Sequence, residues 1–265
     1  MNDNPTPNTP LAEKFRLENE TFLAKTEAAL IRLFEAAKNK NELHFALSLT
    51  PEFRGIQGPG FNSADECFAA IKDYTDFIKS APESRLRIRV ALAFYCHLAE
   101  ASGFYEIPKN MLRIAEGKNH NLWPFREIVE SHKITGQAIA PNANKIMKDL
   151  AGHCSQAGFP DLAEIFKNLF DSDLRNGFAH ADYVVWPDGI RLTKRNGGLP
   201  EIVSYERFSF LFNRGVNFFA VLQNVRTKFV SMYNPPRTFR GRLANSPEAD
   251  CTVSFEDGAL KITVG

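Results

Sequence analysis

Apolar positions over the first 170 residues recur at the spacing of an α-helix. From Leu11 to about Lys38 this spacing places a set of apolar side chains on one helical face: Phe15, Leu23, Leu30, Leu33 and Phe34. Similar patterns, several opened by Pro or by a Ser or Asn cap, predict helices over 63–79, 85–99, 108–115, 124–132, 142–156 and 160–170.

After Ala181 the period changes to that of β-strands. The run YVVWPDGIRLTK places two β-rich segments around Pro187-Asp188-Gly189, which predicts a hairpin over 183–193. A second hairpin is predicted at the C-terminus in CTVSFEDGALKITV, with Asp257-Gly258 at its turn. Because an isolated two-stranded hairpin is only marginally stable, we expect the second to pack on another element, for which the first hairpin is a candidate.

A long helix is predicted from Ser204 to about Met232, and it is rich in phenylalanine. Its apolar residues form one stripe and extend beyond it on both sides, which is more apolar surface than one bundle contact covers. We therefore expect part of this helix to bury against a second copy of the chain in a homodimer. The predicted fold class is mainly α, a helical bundle with two small β-hairpins.

Composition narrows the class of protein. No apolar run approaches the roughly 20 residues that cross a bilayer, and no secretion signal opens the chain, so we expect a soluble, cytoplasmic protein without membrane contact. The four cysteines contain no C-x-x-C pair, which favours free thiols. His153 and Cys154 are adjacent and point about 100° apart on a helix, so we expect no metal site, and we expect no cofactor.

Charge is distributed unevenly although the chain has a net charge of only +1. From Arg207 to Pro247 there is no acidic residue, while seven basic residues fall there, including Arg237, Arg240 and Arg242. One interpretation is a solvated helix face followed by a loop. The other is a surface that follows phosphates, in which these three arginines bind RNA.

The stretch DSDLRNGFAHADYVVW joins the helical part of the chain to the first hairpin. It contains Arg175, Asn176 and His180 in the pattern R-N-x-x-x-H, with Asp171 before it and Asp182 and Tyr183 after it. An Arg followed at similar spacing by a His also occurs at Arg113 and His120 and at Arg126 and His132, so only the surrounding residues distinguish this copy.

LRNGFAHADY resembles the signature of the higher eukaryote and prokaryote nucleotide-binding (HEPN) domains, small helical bundles found in many bacterial ribonucleases and toxins. The resemblance covers about 142–232 and implies a dimer whose two motifs face each other and cut RNA without metal. Together with the composition and charge, this resemblance divides the chain into four parts. They are a polar, proline-broken arm expected to be disordered (1–10), a helical region of unknown role that could contact a protein partner (11–140), a HEPN-like domain (141–234) and a basic loop with the C-terminal hairpin (235–265).

Cleavage of RNA without metal requires the same residue types. A histidine can move protons near neutral pH, and an arginine can grip two phosphate oxygens. Asn176 and His180 are four residues apart and share a helical face. We therefore expect Arg175, Asn176 and His180 to be catalytic, supported by Asp171, Asp182 and Tyr183.

The same sequence also fits other interpretations. The same residues suit a helix end, in which Asp171 or Ser172 caps the helix, Arg175 pairs with an acid such as Asp171, and His180 closes the last turn. The function expected first is a metal-independent endoribonuclease, with a role in toxicity or defence. The alternatives are a non-catalytic module that binds RNA, a nucleotide or a protein, and a purely structural helical protein.

Overall fold

The protein is described here by a computed structural model, in which residues 10–50, 63–82, 84–193, 198–243, 247–256 and 258–265 are placed. The expected disordered arm therefore lies outside the described residues, except Pro10. The helices are α1 (Pro10–Lys40), α2 (Glu42–Leu49), α3 (Ser63–Ser80), α4 (Arg85–Ala99), α5 (Ser102–Ala115), α6 (Ala143–Gln156), α7 (Pro160–Asn168), α8 (Ser172–Ala179) and α9 (Tyr205–Val230).

Side-chain caps fix the starts of several helices where the sequence predicts them. The side chain of Asn142 accepts a hydrogen bond from the amide of Lys145 at the start of α6, at 3.0 Å. Ser204 does the same for α9, and Pro160 opens α7 in a position where its missing N–H costs nothing. The mainly α class is thus confirmed.

The helix predicted over 124–132 is wrong. Only a 3₁₀ turn, Arg126–Ile128, forms there, and it leads into the short strand β1 (Glu130–Ser131), which pairs with β2 (Ala138–Ile139). Gly136 takes a positive φ of 70° in the turn between them, a conformation that ends any helical run.

Each predicted hairpin carries a third strand. In the first sheet, β3 (Tyr183–Trp186) pairs with β4 (Gly189–Leu192), which pairs with β5 (Glu201–Val203). In the second, β6 (Arg237–Gly241) pairs with β7 (Ala249–Glu256), which pairs with β8 (Ala259–Val264). Asp257 of the second predicted turn lies outside the described residues. The segment expected to be a basic loop therefore contains an edge strand.

The second hairpin packs on another element, as expected, but the two sheets pack on different parts of the molecule, so the first hairpin is not that element. Ile190, Leu192 and Val203 of the first sheet join a small core with α4, α8 and the start of α9. Cys251, Val253 and Leu260 of the second sheet join the main core, and this sheet contacts α2. The second hairpin therefore packs against the short apolar helix α2, which gives it the tertiary contact that an isolated hairpin lacks.

The main core crosses the domain boundary expected between residues 140 and 141. It joins buried residues of α1, α2 and α5 to buried residues of α6, α7 and α9. The rings of Phe34 on α1 and Phe229 on α9, for example, lie 5.3 Å apart between centroids. Regions 11–140 and 141–234 therefore share one core and are not separate packing units.

The long helix α9 runs through this core, which accounts for its phenylalanines. Phe208, Phe210, Phe218, Phe219 and Phe229 are all buried within the chain. Their contacts include Phe104 of α5, whose ring centroid lies 4.6 Å from the ring centroid of Phe219. The apolar excess that led us to expect a dimer contact on this helix is therefore covered by the chain's own helices.

Candidate functional site

Helix α8 carries the R-N-x-x-x-H motif, and Asp171 fixes where it starts. The Asp171 carboxylate accepts hydrogen bonds from the amides of Asp173 and Leu174, both at 3.0 Å. The amide of Asp171 in turn donates to the hydroxyl of the buried Tyr95 on α4, at 2.7 Å. Asp171 is therefore the N-cap of α8, as the helix-end interpretation expected.

His180 ends α8, and two backbone hydrogen bonds set its position. The amide of Asp182 donates to the carbonyl of Gly177 at 2.7 Å, and that of Ala181 donates to the carbonyl of Phe178 at 3.0 Å. Together these form a Schellman motif, with Ala181 in the left-handed conformation at φ 57°. This places His180 at the C-cap, where it is exposed to solvent.

Asp182 and Tyr183 join α8 to the first sheet. The carbonyl of Asp182 accepts hydrogen bonds from both the amide and the hydroxyl of Thr193, at 2.9 and 3.1 Å. Tyr183 begins β3, and the centroid of its ring lies 5.4 Å from the ring centroid of Phe178. These two residues hold the end of the helix in place, which is compatible with the supporting role expected of them.

Arg175 lies in the middle of α8 and is bound on two sides. One terminal nitrogen donates to Glu100 at the end of α4, and the other donates to Oδ1 of Asn176 at 2.7 Å. Only 12% of the Arg175 side chain is exposed, and its buried Nε has no hydrogen-bond partner among the residues that the structure describes. Arg175 thus pairs with an acid, as the helix-end interpretation expected, but the acid is Glu100 and not Asp171.

Glu100 also binds the start of another helix. Its second carboxylate oxygen accepts a hydrogen bond from the amide of Ala143, the first residue of α6, at 3.2 Å. The carboxylate thus lies between a guanidinium and a helix N-terminus, two groups that each favour an anion. Arg175 and α6 therefore form an anion-binding position that an internal carboxylate occupies.

Cys96 lies against this part of α8 without being a reactive thiol. Its sulfur is 3.6 Å from the carbonyl oxygen of Arg175. Burial raises the pKa of Cys96 to about 11, although the charge of Arg175 acts to lower it. The thiol is therefore protonated near neutral pH, and it packs against the helix instead of acting as a nucleophile.

A groove of about 530 Å³ opens beside Arg175, between α6, α7 and the start of α8. We call it the Arg175 groove. Its polar wall consists of Asn144, Lys148, Lys167, Asp171, Ser172 and Arg175. The motif arginine therefore lies along a groove large enough for part of a nucleotide chain.

The three arginines expected to bind RNA lie on or next to β6, at the edge of the second sheet. Arg237 pairs with Glu42 of α2 at 3.1 Å, and Arg240 lies 3.5 Å from Asp250 of β7. Arg242 follows the strand and is exposed. Acids from other segments thus accompany a stretch that has none in its own sequence, and they reduce its positive potential.

A second polar cluster lies on α5 and α6, and it was not predicted from the sequence. Nζ of the buried Lys109 is 2.8 Å from Asp149 and 3.1 Å from Nδ1 of His153, while Nε2 of His153 is 3.0 Å from Glu116. Burial raises the pKa of Glu116, but hydrogen bonds from Lys118 and His153 outweigh it and leave that pKa lowered. The spacing of Asp149 and His153, four residues apart on one face of α6, is a signal that could have indicated this cluster.

Within the described ranges, no group of three or more His, Cys, Asp or Glu side chains is arranged to hold a metal ion, and no helix is long and apolar enough to span a membrane. No protein-family model matches the chain, and searches of curated proteins and of solved structures found no significant match.

Proposed function

We propose that the protein is a metal-independent endoribonuclease of the HEPN type, acting as a homodimer. The observation that carries this proposal is the arrangement on α8. Arg175 is hydrogen-bonded to Asn176 beside a groove, and His180 is exposed where the same helix ends. A fixed cation, an orienting amide and a titratable base on one short helix are what cleavage by the 2′-hydroxyl requires.

In this reaction the 2′-oxygen attacks the adjacent phosphorus while the bond from phosphorus to the 5′-oxygen breaks. One His180 takes the proton of the 2′-hydroxyl, and a protonated His180 gives a proton to the leaving 5′-oxygen. The products are a 2′,3′-cyclic phosphate and a 5′-hydroxyl. Because one histidine cannot be base and acid at the same moment, the proposal places two copies of α8 at one site.

Arg175 would stabilise the charge that develops on the phosphate. Its guanidinium is held by Glu100 and Asn176, so it is already oriented and loses little freedom when a phosphate arrives. A phosphate must, however, share or replace the position of the Glu100 carboxylate.

The experiment is RNA cleavage by the purified protein in the presence of a chelator. Wild type should release 2′,3′-cyclic phosphate ends, and His180→Ala should abolish release without unfolding, because a helix-end histidine contributes only about 0.3–1 kcal/mol through the helix dipole. His120→Ala and His132→Ala serve as matched controls and should cut like wild type. Cleavage by His180→Ala at the wild-type rate, or loss of cleavage in chelator, would show that the proposal is wrong.

Mixing the two proteins tests the two-chain site separately. When wild type is mixed with increasing amounts of His180→Ala and allowed to exchange subunits, activity per wild-type chain should fall in proportion to the wild-type fraction. Activity per wild-type chain that stays constant would mean that each chain carries a complete site.

One observation favours a second candidate, a non-catalytic module that binds RNA or a nucleotide. Arg175 is mostly buried and is already paired with a carboxylate, which is compatible with a role in holding α8 against α4. In that case RNA would bind in the Arg175 groove, neither wild type nor His180→Ala would cut it, and both would bind it equally.

A further inference from the structure

A second groove lies on the other flank of α6. It has a volume of about 660 Å³ and runs between α5, α6 and the segment that leads into β1. We call it the His153 groove, because the cluster of Lys109, Asp149 and His153 lines it. Lys148 and Gly152 line both this groove and the Arg175 groove, so the two meet along one line on α6.

Gly152 forms the low point between the two grooves. It lies inside α6 and is exposed, and a Cβ added there would meet no described atom within 4 Å apart from its chain neighbours and the backbone of its own helix. Glycine in a helix interior is less favourable than alanine by about 1 kcal/mol, and here neither backbone conformation nor close packing requires it. Its effect is to leave the helix surface open where a larger side chain would separate the grooves.

The Arg175 groove suits phosphate. Its charged lining consists of Lys148, Lys167, Arg175 and Asp171, and the carboxylate of Asp171 is satisfied by two amides at the start of α8. Lys148 and Lys167 are exposed, and neither pairs with a carboxylate among the described residues. Two solvated lysines beside an oriented arginine favour successive phosphates of a nucleic acid strand.

The His153 groove has a different chemistry. Four of its five lysines and arginines are matched by carboxylates: Lys109 by Asp149, Arg113 by Glu127, Lys118 by Glu116 and Lys145 by Glu130. The fifth is Lys148, which lies where the two grooves meet. With most of its positive charge neutralised by ion pairs, this lining attracts a phosphate only weakly, while its carboxylate oxygens can accept hydrogen bonds from the amino groups of bases and from ribose hydroxyls. Exposed base edges and 2′-hydroxyls are the features by which proteins recognise single-stranded RNA.

We propose that single-stranded RNA follows a path along α6, with phosphates in the Arg175 groove at Lys148 and Lys167, a crossing over Gly152, and a base and ribose in the His153 groove. This inference rests on the proposed function, because it extends the same Arg175 site. It makes Lys148 and Lys167 RNA-contacting residues, and it makes the Lys109–Asp149–His153 cluster a place where sequence preference can arise.

The experiment measures binding of a short fluorescent single-stranded RNA of mixed sequence across a salt series, with His180→Ala present in every protein so that no RNA is cut. Lys148→Gln combined with Lys167→Gln should weaken binding and reduce the salt slope by about 1.4, since each lost phosphate contact on a single strand contributes about 0.7. Lys148→Arg combined with Lys167→Arg should retain the slope.

Substitutions of Gly152 test the crossing. Gly152→Glu should weaken binding at least about tenfold, because it places bulk and negative charge between the grooves. Gly152→Ala is the matched control, and it should bind like the parent while raising the melting temperature. Unfolding curves for each variant separate a loss of binding from a loss of fold.

A third set replaces Arg237, Arg240 and Arg242 with Gln, since these arginines lie on the other candidate surface. If only this set lowers the salt slope and the lysine pair does not, the path along α6 is wrong while the proposed function stands. An unchanged affinity for Gly152→Glu would also overturn the path. If the His180→Ala parent binds no RNA at any salt concentration, the proposed function fails and the path fails with it.

Discussion

Arg175 on α8 and Glu100 at the end of α4 form an ion pair across 75 positions of sequence. The guanidinium is largely buried, while 45% of the Glu100 side chain is exposed. Removing the carboxylate leaves a mostly buried cation without its charged partner. We therefore expect Glu100→Gln to lower the free energy of unfolding by about 1–3 kcal/mol in urea titrations.

The control for this prediction is Glu18→Gln on α1. Glu18 pairs with Lys14 at 3.9 Å, and both side chains are exposed, so its loss should cost less than about 1 kcal/mol. Equal effects of the two substitutions would mean that the Arg175–Glu100 pair behaves as an ordinary surface pair. Because Glu100 occupies the position of an anion, Glu100→Gln should also bind RNA more tightly if phosphate binds at Arg175.

Ala181 holds the end of α8 in a conformation that glycine adopts more readily. Its φ of 57° is left-handed, which costs a residue with a side chain roughly 1–2 kcal/mol. Replacement by glycine removes that cost and adds about 0.4–1 kcal/mol of freedom to the unfolded chain. Ala181→Gly should therefore stabilise the protein by about 0.5–1 kcal/mol, measured as a higher urea midpoint.

Ala28 serves as the control for Ala181, because its backbone is helical and not left-handed. It is an exposed alanine in the interior of α1, where Ala28→Gly should destabilise by about 1 kcal/mol. If both glycine substitutions destabilise the protein, the left-handed conformation of Ala181 does not destabilise the folded state by the amount expected.

Local signals in the sequence were sufficient for several elements around the motif. The Asn142 cap and the apolar period after it predict α6 to within one residue, and Pro187-Asp188-Gly189 predicts the turn between β3 and β4. Such signals lie within a few residues of the element they define, so they can be recognised in a single sequence.

The contacts that define the site are of another kind. Glu100 reaches Arg175, and Lys109 reaches His153, from segments 75 and 44 positions away. β6 has little alternation of apolar and polar residues, so its pairing with β7 depends on the packing of the second sheet against α2. Spacing along the chain contains no information about these partners, and for that reason the two grooves beside α6 were not predicted.

Glu116 links stability to pH through its contacts with Lys118 and His153. Its pKa is lowered in the folded protein, so its ionised form is favoured by folding. The stabilisation should be fully present above the unfolded pKa of about 4.3 and should be lost as the pH falls through the lower folded value. We therefore expect wild type to be more stable than Glu116→Gln at neutral pH, and the difference to shrink in acid. Urea unfolding at a series of pH values measures it, with Glu18→Gln as the control for removing one charge. A difference that stays constant down to the acid limit of folding would mean that the contribution of Glu116 does not depend on its ionisation.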